Sequence, residues 1–99
     1  MAAGKVTVVA VLVAKHGLEA KVREELELLL APTRKEEGCL NYDLHHSVDD
    51  STRFMFHENW RSKQDLDAHL ASAHLVRFQG LAGELFAEAP QITLWEEIG

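Results

Sequence analysis

The chain has 99 residues, of which 46% are apolar and 26% charged, and its net charge is −6. This length predicts a single domain over residues 1–99 with a small core within about residues 5–98, and the apolar content argues against a disordered chain. The negative charge argues against nucleic acid as a partner, because phosphate binding needs a basic patch.

The cysteine content and the apolar runs indicate the cellular compartment in which the protein is expected. Cys39 is the one cysteine, so no intrachain disulfide can form, and we interpret it as a small buried hydrophobe rather than a reactive thiol. The N-terminal residues lack the apolar segment of a signal peptide. The longest apolar run, residues 6–14, is much shorter than the ~20 residues that a membrane-spanning helix needs. We therefore expect a cytoplasmic protein without a membrane partner.

The first predicted element is a strand over residues 5–15, which are rich in β-branched residues and bounded by glycines. Both of its faces are apolar, with Val6, Val8, Ala10 and Leu12 alternating with Val9, Val11 and Val13. A strand with one solvated face alternates apolar and polar residues. Both faces of this strand are therefore expected to be covered.

An amphipathic helix is predicted next, over residues 18–37. Its apolar face comprises Leu18, Val22, Leu26, Leu29 and Leu30. Pro32 lacks a backbone donor and is expected to kink or interrupt this helix. Gly38 suits the left-handed position that commonly follows a helix.

Two alternating segments, residues 40–47 and 53–60, predict a β-hairpin that is closed by the polar turn between them. One face of the first strand carries Leu40, Tyr42, Leu44 and His46. One face of the second strand carries Phe54, Phe56, Glu58 and Trp60.

A split helical region and a last strand complete the chain. Ser62 is predicted to cap a short helix, with Asp65 three residues later as a weak capping box. Ser72 is predicted to cap a second helix, which Pro90 ends. Residues 91–98 predict the last strand.

The order of elements is therefore βαββαβ, which predicts a ferredoxin-like α+β sandwich with helices on one face of the sheet. The other face would be bare, although the first strand is apolar on both sides, and large exposed apolar patches are unusual in monomers. We therefore predict a homodimer whose two sheets pack face to face.

Six histidines are many for a chain of this length, but a metal site needs ligands that converge. His69 and His74 are five residues apart, or about 140° on a continuous helix, so they diverge unless the helix breaks at residues 71–73. His45 and His46 are adjacent on a strand and point to opposite faces. No metal site is predicted.

Nucleophilic and cofactor chemistry lack their usual motifs in this sequence. Cys39 has no evident histidine partner, and no serine lies in a nucleophile elbow. Neither a phosphate-binding Gly-rich loop nor a dinucleotide fingerprint is present. We therefore predict no nicotinamide, flavin or ATP cofactor. The remaining chemistry is acid–base catalysis in an apolar cavity.

Four residues are candidates for such catalysis. Histidine is the usual proton acceptor near neutral pH. His69 borders the apolar side of its helix, and His74 lies four residues after Leu70 and next to the predicted N-cap. Glu58 lies among aromatic residues, where a carboxylate needs a partner or a raised pKa. Trp60 shares the face of Glu58. Ordinary packing at the helix–sheet seam or in the core is the alternative interpretation of the histidines and of Trp60.

Two segments, KEEGCLNYDL (residues 35–44) and FHENWRSKQDLDAHLASAHLVRF (residues 56–78), resemble the antibiotic biosynthesis monooxygenase (ABM) domain family, and within it the small quinol-monooxygenase-like members. The pattern is E-G-C-x-x-Y, then E-x-W with a small residue two places on, then L-x-x-H and a second histidine before an aromatic residue. It falls here on Glu37, Gly38, Cys39, Tyr42, Glu58, Trp60, Ser62, Leu66, His69, His74 and Phe78.

The resemblance implies a dimeric α+β barrel and cofactor-independent oxygenation of a quinol, anthrone or related polyphenol by O₂. It implies that His69 or His74 is the base that removes a phenolic proton, and that Glu58 orients a histidine or holds a substrate hydroxyl. The donors or pocket walls that it implies are Trp60, Tyr42, Asn41, Phe78 and Phe56. The implied partners are a small aromatic substrate, O₂ and a second copy of the chain.

Other branches of the family provide alternatives. Haem-degrading members place an asparagine in the first strand, where this chain has none. An isomerase branch acts on a small phosphorylated metabolite, for which Arg61 and Arg77 could serve, although no basic cluster is present. Other small relatives are non-catalytic ligand-binding or stress proteins. An isomerase of a small polar metabolite and a non-catalytic dimeric binding protein therefore stay open beside the monooxygenase.

Overall fold

The structure, a computed structural model, describes residues 4–99. The elements in this range are β1 (Val6–Val13), α1 (Glu19–Leu28), α2 (Leu30–Arg34), β2 (Cys39–His46), β3 (Arg53–Trp60), α3 (Lys63–Leu70), α4 (Ala73–Leu85) and β4 (Gln91–Trp95). The strands form one antiparallel sheet in the order β2-β3-β1-β4. This is the ferredoxin-like α+β fold that the element order predicts.

The two faces of the sheet have different environments. On the face under the helices, which we call the covered face, Val8, Ala10 and Leu12 of β1 are at most 7% exposed. They form one core cluster with helix residues such as Leu26 and Phe78. The alternate residues of β1 lie on the opposite face, which we call the open face, and are half-buried. The described residues of the single chain therefore cover one of the two apolar faces of β1.

The first helix is interrupted, as Pro32 predicts, but the break lies at Leu29, where the backbone N–H bonds Leu26 O at 3.1 Å in a tightened turn. Pro32 is the third residue of α2, a position whose N–H has no partner within the helix. The predicted helix end at residue 37 is wrong, because α2 ends at Arg34. Gly38 has a φ of +85° and so takes the predicted left-handed conformation.

The hairpin forms with β3 at its predicted limits. The first strand, β2, begins at Cys39, and its register with β3 shifts between Cys39 and Asn41. This irregularity lies at Leu40, which is 57% exposed. Strict alternation predicts that Leu40 shares the buried face of Tyr42, and this prediction is wrong for Leu40.

The second helical region breaks between Leu70 and Ala73. Ser62 caps α3 as predicted, because its Oγ accepts a hydrogen bond from the backbone N–H of Asp65 at 3.1 Å. Ser72 occupies the N-cap position of α4, but its hydroxyl donates to the His69 carbonyl oxygen at 2.6 Å and makes no side-chain cap bond.

The last elements are shorter than the sequence predicts. The helix α4 ends at Leu85, well before Pro90, because Phe86 is extended and forms a β-bridge with Ala14. The strand β4 ends at Trp95 rather than at residue 98. Within residues 4–99, no helix combines the length and the apolar character needed to cross a membrane.

Candidate active site

A cavity of about 360 Å³ lies between the covered face of the sheet and the helices α3 and α4. Its volume is within the range of small-molecule sites. Most of its lining is apolar. The lining residues are Val8, Ala10, Leu12, Leu29, Tyr42, Phe56, Glu58, Lys63, Leu66, His69, Leu70, Leu75, Phe78, Gln79, Ala82, Pro90, Ile92 and Leu94.

Two of the polar lining residues, Glu58 and His69, are themselves buried, at 5% and 2% exposed. Glu58 comes from the sheet and His69 from the helix layer above it. A buried polar group in an apolar cavity needs a hydrogen-bond partner or a changed protonation state. The surroundings of each therefore determine what the cavity can do chemically.

Glu58 is positioned by β3, on whose inward face it alternates with Phe56 and Trp60. The indole Nε1–H of Trp60 donates to Glu58 Oε1 at 2.8 Å. Burial raises the pKa of Glu58 to about 7, although the Trp60 hydrogen bond opposes this change, and the charge of Glu36 raises the pKa further. Glu58 can therefore exist as a neutral acid and as a carboxylate near neutral pH.

His69 is in the last turn of α3, and its Nδ1 lies 2.6 Å from Oε2 of Glu36. Its ring stacks at a tilt on Trp60, with 4.5 Å between ring centroids, and meets the edge of Tyr42. Burial lowers the pKa of His69 below 6.5, against the opposing hydrogen bond and charge of Glu36. When Nδ1 donates to this Glu36 oxygen, Nε2 of the neutral ring keeps its lone pair.

His74 also contacts Glu36, and Glu36, His69 and His74 form one cluster. The cluster can form because the helical region breaks just before His74. Its Nε2 lies 2.8 Å from the same oxygen of Glu36 and 3.3 Å from Ser72 Oγ. The divergence of His69 and His74 that a continuous helix predicts therefore does not apply. His74 is not among the residues that line the cavity.

Glu36 is the residue of this cluster that the sequence did not indicate. It follows α2 in a short acidic run and is separated by 33 residues from His69 and by 38 from His74. No local spacing relates it to either histidine, so only the tertiary fold shows the contact. The side-chain partner of Glu58 is Trp60, and Glu36 is the carboxylate that contacts both histidines.

The donors or pocket walls that the resemblance implies occupy three different positions relative to the cavity. Tyr42, Phe56 and Phe78 line the cavity, and Tyr42 stacks on Phe56 with 4.5 Å between ring centroids. Burial raises the pKa of the Tyr42 hydroxyl, so Tyr42 stays neutral. Trp60 is fully buried behind the lining. Asn41 pairs with Asn59 on the open face and hydrogen-bonds there, so it is not a wall of the cavity.

A family model described as antibiotic biosynthesis monooxygenase matches residues 5–81 of this sequence. The chain belongs to the antibiotic biosynthesis monooxygenase (ABM) family. This membership gives it a monooxygenase-like function. It also agrees with the fold and with an apolar cavity that holds acid–base groups.

Individual relatives support the assignment to the ABM family. The Mycobacterium tuberculosis protein named "Putative monooxygenase Rv0793" is 33% identical over 89 residues, which cover 90% of this chain and 87% of that protein. The solved structure of Rv0793 has a TM-score of 0.92, at 29% identity and 97% coverage of both chains. PA3566 from Pseudomonas aeruginosa has a TM-score of 0.93, at 31% identity, and covers 100% of this chain and 99% of its own.

Proposed function

We propose that this ABM-family protein is a cofactor-independent monooxygenase that oxidises a quinol-like or polyphenolic aromatic compound with O₂. The observation that carries the proposal is an apolar cavity whose two buried polar residues are a histidine and a glutamate with a pKa near 7. Aromatic walls from Tyr42, Phe56 and Phe78 suit a flat ring. The two titratable groups, His69 and Glu58, can exchange a proton or a hydrogen bond with a phenolic hydroxyl.

His69 is the base in this proposal. Its Nδ1 donates to Glu36, which leaves the lone pair of Nε2 available to the cavity that His69 lines. Its lowered pKa keeps the ring neutral and able to accept a proton at pH 7. His74 contacts Glu36 from the other side, so we assign His74 and Glu36 as positioning residues.

Glu58 is the residue that holds a substrate hydroxyl. Its Oε1 already accepts the Trp60 indole N–H, so Oε2 is the oxygen that can bond a ligand. In the neutral state Oε2 can donate a hydrogen bond, and in the ionised state it can only accept one. With a pKa of about 7, Glu58 can change between these roles as charge moves on the substrate.

The oxidation balances without a cofactor. Transfer of a phenolic proton to His69 leaves an electron-rich phenolate, which passes one electron to O₂ to form superoxide and an aromatic radical. These two combine in a carbon–oxygen bond, and a proton converts the product to a hydroperoxide that loses water. One quinol and one O₂ give one hydroxyquinone and one water, so O₂ is the only oxidant and no external reductant is consumed.

The test is O₂ consumption with menadiol as the substrate, measured with an oxygen electrode. We expect the protein to exceed the autoxidation rate, and His69→Gln to lower the enzymatic rate by about 100-fold, a typical contribution of a general base. The matched control is His46→Gln, because His46 is exposed and bonds Ser51 O outside the cavity.

Two other results would contradict the monooxygenase proposal. Exchange of a substrate proton with D₂O without O₂ uptake would indicate an isomerase. Saturable binding of the aromatic compound without any product would indicate a binding protein.

A further inference from the structure

Three side chains from separate segments converge beside the cavity. Glu36 follows α2, His69 lies in the last turn of α3, and His74 lies in the first turn of α4. One donor atom of each lies within 4.8 Å of the others. We propose that Glu36, His69 and His74 form a binding site for a divalent transition-metal ion such as Zn²⁺.

The donor set determines the class of ion. Two imidazole nitrogens and one carboxylate oxygen form the three-ligand set of zinc sites that keep a fourth position open, and related sets bind other first-row metals. Mg²⁺ and Ca²⁺ prefer oxygen ligands throughout. The cluster therefore favours ions that accept imidazole, and Mg²⁺ serves as the comparison that should not bind.

The geometry is close to that of a bound site. Both histidine nitrogens contact one oxygen of Glu36, at 2.6 and 2.8 Å. Around a tetrahedral ion with bonds of about 2.1 Å, donors are roughly 3.4 Å apart. Insertion of the ion therefore requires Glu36 to move away from the two rings. The two histidine nitrogens, which lie within 4.8 Å of each other, must also come to roughly the tetrahedral spacing.

The burial of the three residues allows this movement. The His69 side chain is 3% exposed and is held by its stack on Trp60, so it is the fixed ligand. The side chains of Glu36 and His74 are 17% and 23% exposed and can adjust. The Ser72 hydroxyl holds the turn between the two histidines through its bond to the His69 carbonyl. The ligands are therefore largely in place before an ion binds.

Metal binding has a consequence for the cavity, and this consequence rests on the proposed function. The same Nδ1 of His69 that now donates to Glu36 would bind the ion through its lone pair. The ring proton of a neutral His69 would then be on Nε2, which could donate but no longer accept a proton. An ion at this site should therefore inhibit an oxidation in which His69 is the base.

The site is tested by isothermal titration calorimetry of the full chain with Zn²⁺ after treatment with a chelator. We expect one ion per chain, at least about tenfold weaker binding in Glu36→Gln and in His74→Gln, and no comparable binding of Mg²⁺. Both variants change half-buried side chains, and circular dichroism checks that they fold. The matched control is the double variant His45→Gln/His46→Gln, which removes two exposed histidines of β2 and should bind Zn²⁺ normally.

Three results would overturn the metal site: no saturable Zn²⁺ binding, unchanged affinity in Glu36→Gln, or loss of binding only in the His45→Gln/His46→Gln variant. The effect on the cavity is tested separately, as slower menadiol oxidation in Zn²⁺ and a smaller effect in Glu36→Gln. If the protein oxidises no quinol, the proposed function fails while the calorimetry still decides the metal site. If Zn²⁺ binds at the site without slowing oxidation, the proposed effect on His69 is wrong.

Discussion

Glu58 combines features that are rarely found together in a core. The residue is 5% exposed and has aromatic neighbours along its strand, and its carboxyl group accepts a hydrogen bond from Trp60. Burial penalises the charged form more than this one hydrogen bond stabilises it, so the pKa rises to about 7. The anomaly was visible in the sequence as a carboxylate on an aromatic face, and the structure provides both its partner and its altered pKa.

The raised pKa of Glu58 predicts how the stability of the protein depends on pH. An acid whose pKa rises from 4.5 to about 7 on folding stabilises the folded state fully below pH 4.5. This contribution is lost as the pH rises through 7. Glu58→Gln resembles the neutral acid, so it should be more stable than the parent at pH 8, by on the order of 3 kcal/mol at most, and nearly equal to it at pH 4.5.

Urea unfolding at pH 4.5, 6 and 8 measures this difference. Glu84→Gln is the matched control, since Glu84 is exposed on α4, and its stability should follow the parent at every pH. Parallel pH profiles for Glu58→Gln and the parent would show that the pKa of Glu58 is the same in the folded and unfolded states, and would contradict the argument.

At the scale of elements, local chemistry was predictable and long-range contact was not. The limits of β3, the Ser62 cap and the left-handed Gly38 follow from residues adjacent in sequence, and all three predictions are confirmed. The end of α4 depends on a bridge between Ala14 and Phe86, which are far apart in the chain. Sequence periodicity does not contain such pairings, so the predicted end at Pro90 is wrong.

Gly38 links the segment that carries Glu36 to the start of α3. Its φ is +85°, and its carbonyl oxygen accepts the Arg61 N–H at 2.8 Å. A Cβ at this position would overlap the Asp65 carboxyl group, which Arg61 and Ser62 hold in place through hydrogen bonds. The absence of a side chain at Gly38 therefore matters for the backbone conformation and for the space beside the α3 cap.

These two requirements predict that Gly38→Ala is more destabilising than Gly17→Ala. Gly17 has a nearly equal φ of +89°, but a Cβ there would meet no atom within 4 Å among the described residues. Gly17→Ala should therefore cost only the left-handed strain, about 1 kcal/mol. Gly38→Ala should cost about 1 kcal/mol more, because the Asp65 carboxyl group must move away from its hydrogen bonds to Arg61 and Ser62. Urea denaturation measures both values, and equal costs would contradict a close approach of Asp65.

At the scale of the whole molecule, residues 4–99 of the single chain leave one apolar sheet face without a layer of its own. Val9, Val11 and Val13 on the open face are half-buried, and Met55 is the β3 partner of Val11. Beside them, polar residues bond across strands, since Thr7 donates to Asn59 and Asn59 to Asn41. This mixture of an apolar centre and satisfied polar groups is typical of subunit interfaces.

The two apolar faces of β1 could be predicted from the sequence because alternation in a strand is a local property. The assembly of the candidate active site could not be predicted, since Glu36 meets His69 across 33 residues. The element order predicted that one side of the sheet lacks helices, but it does not say what covers that side. We propose that a second copy of the chain covers the open face, as the strand pattern predicts.

The homodimer proposal predicts that a charge at the centre of the open face separates the subunits without unfolding them. Val11→Asp places a carboxylate opposite the partner's apolar surface, where its desolvation is unfavourable, while the core residues of the covered face are unchanged. Val48→Asp is the matched control, because Val48 is 97% exposed in the β2–β3 turn. In sedimentation velocity at micromolar concentration, the parent and Val48→Asp should be dimers and Val11→Asp a monomer, with native circular dichroism for all three.

A monomeric parent would contradict the proposal directly. A dimeric, folded Val11→Asp would place the interface elsewhere, because a buried unpaired carboxylate at the centre of an apolar contact costs several kcal/mol.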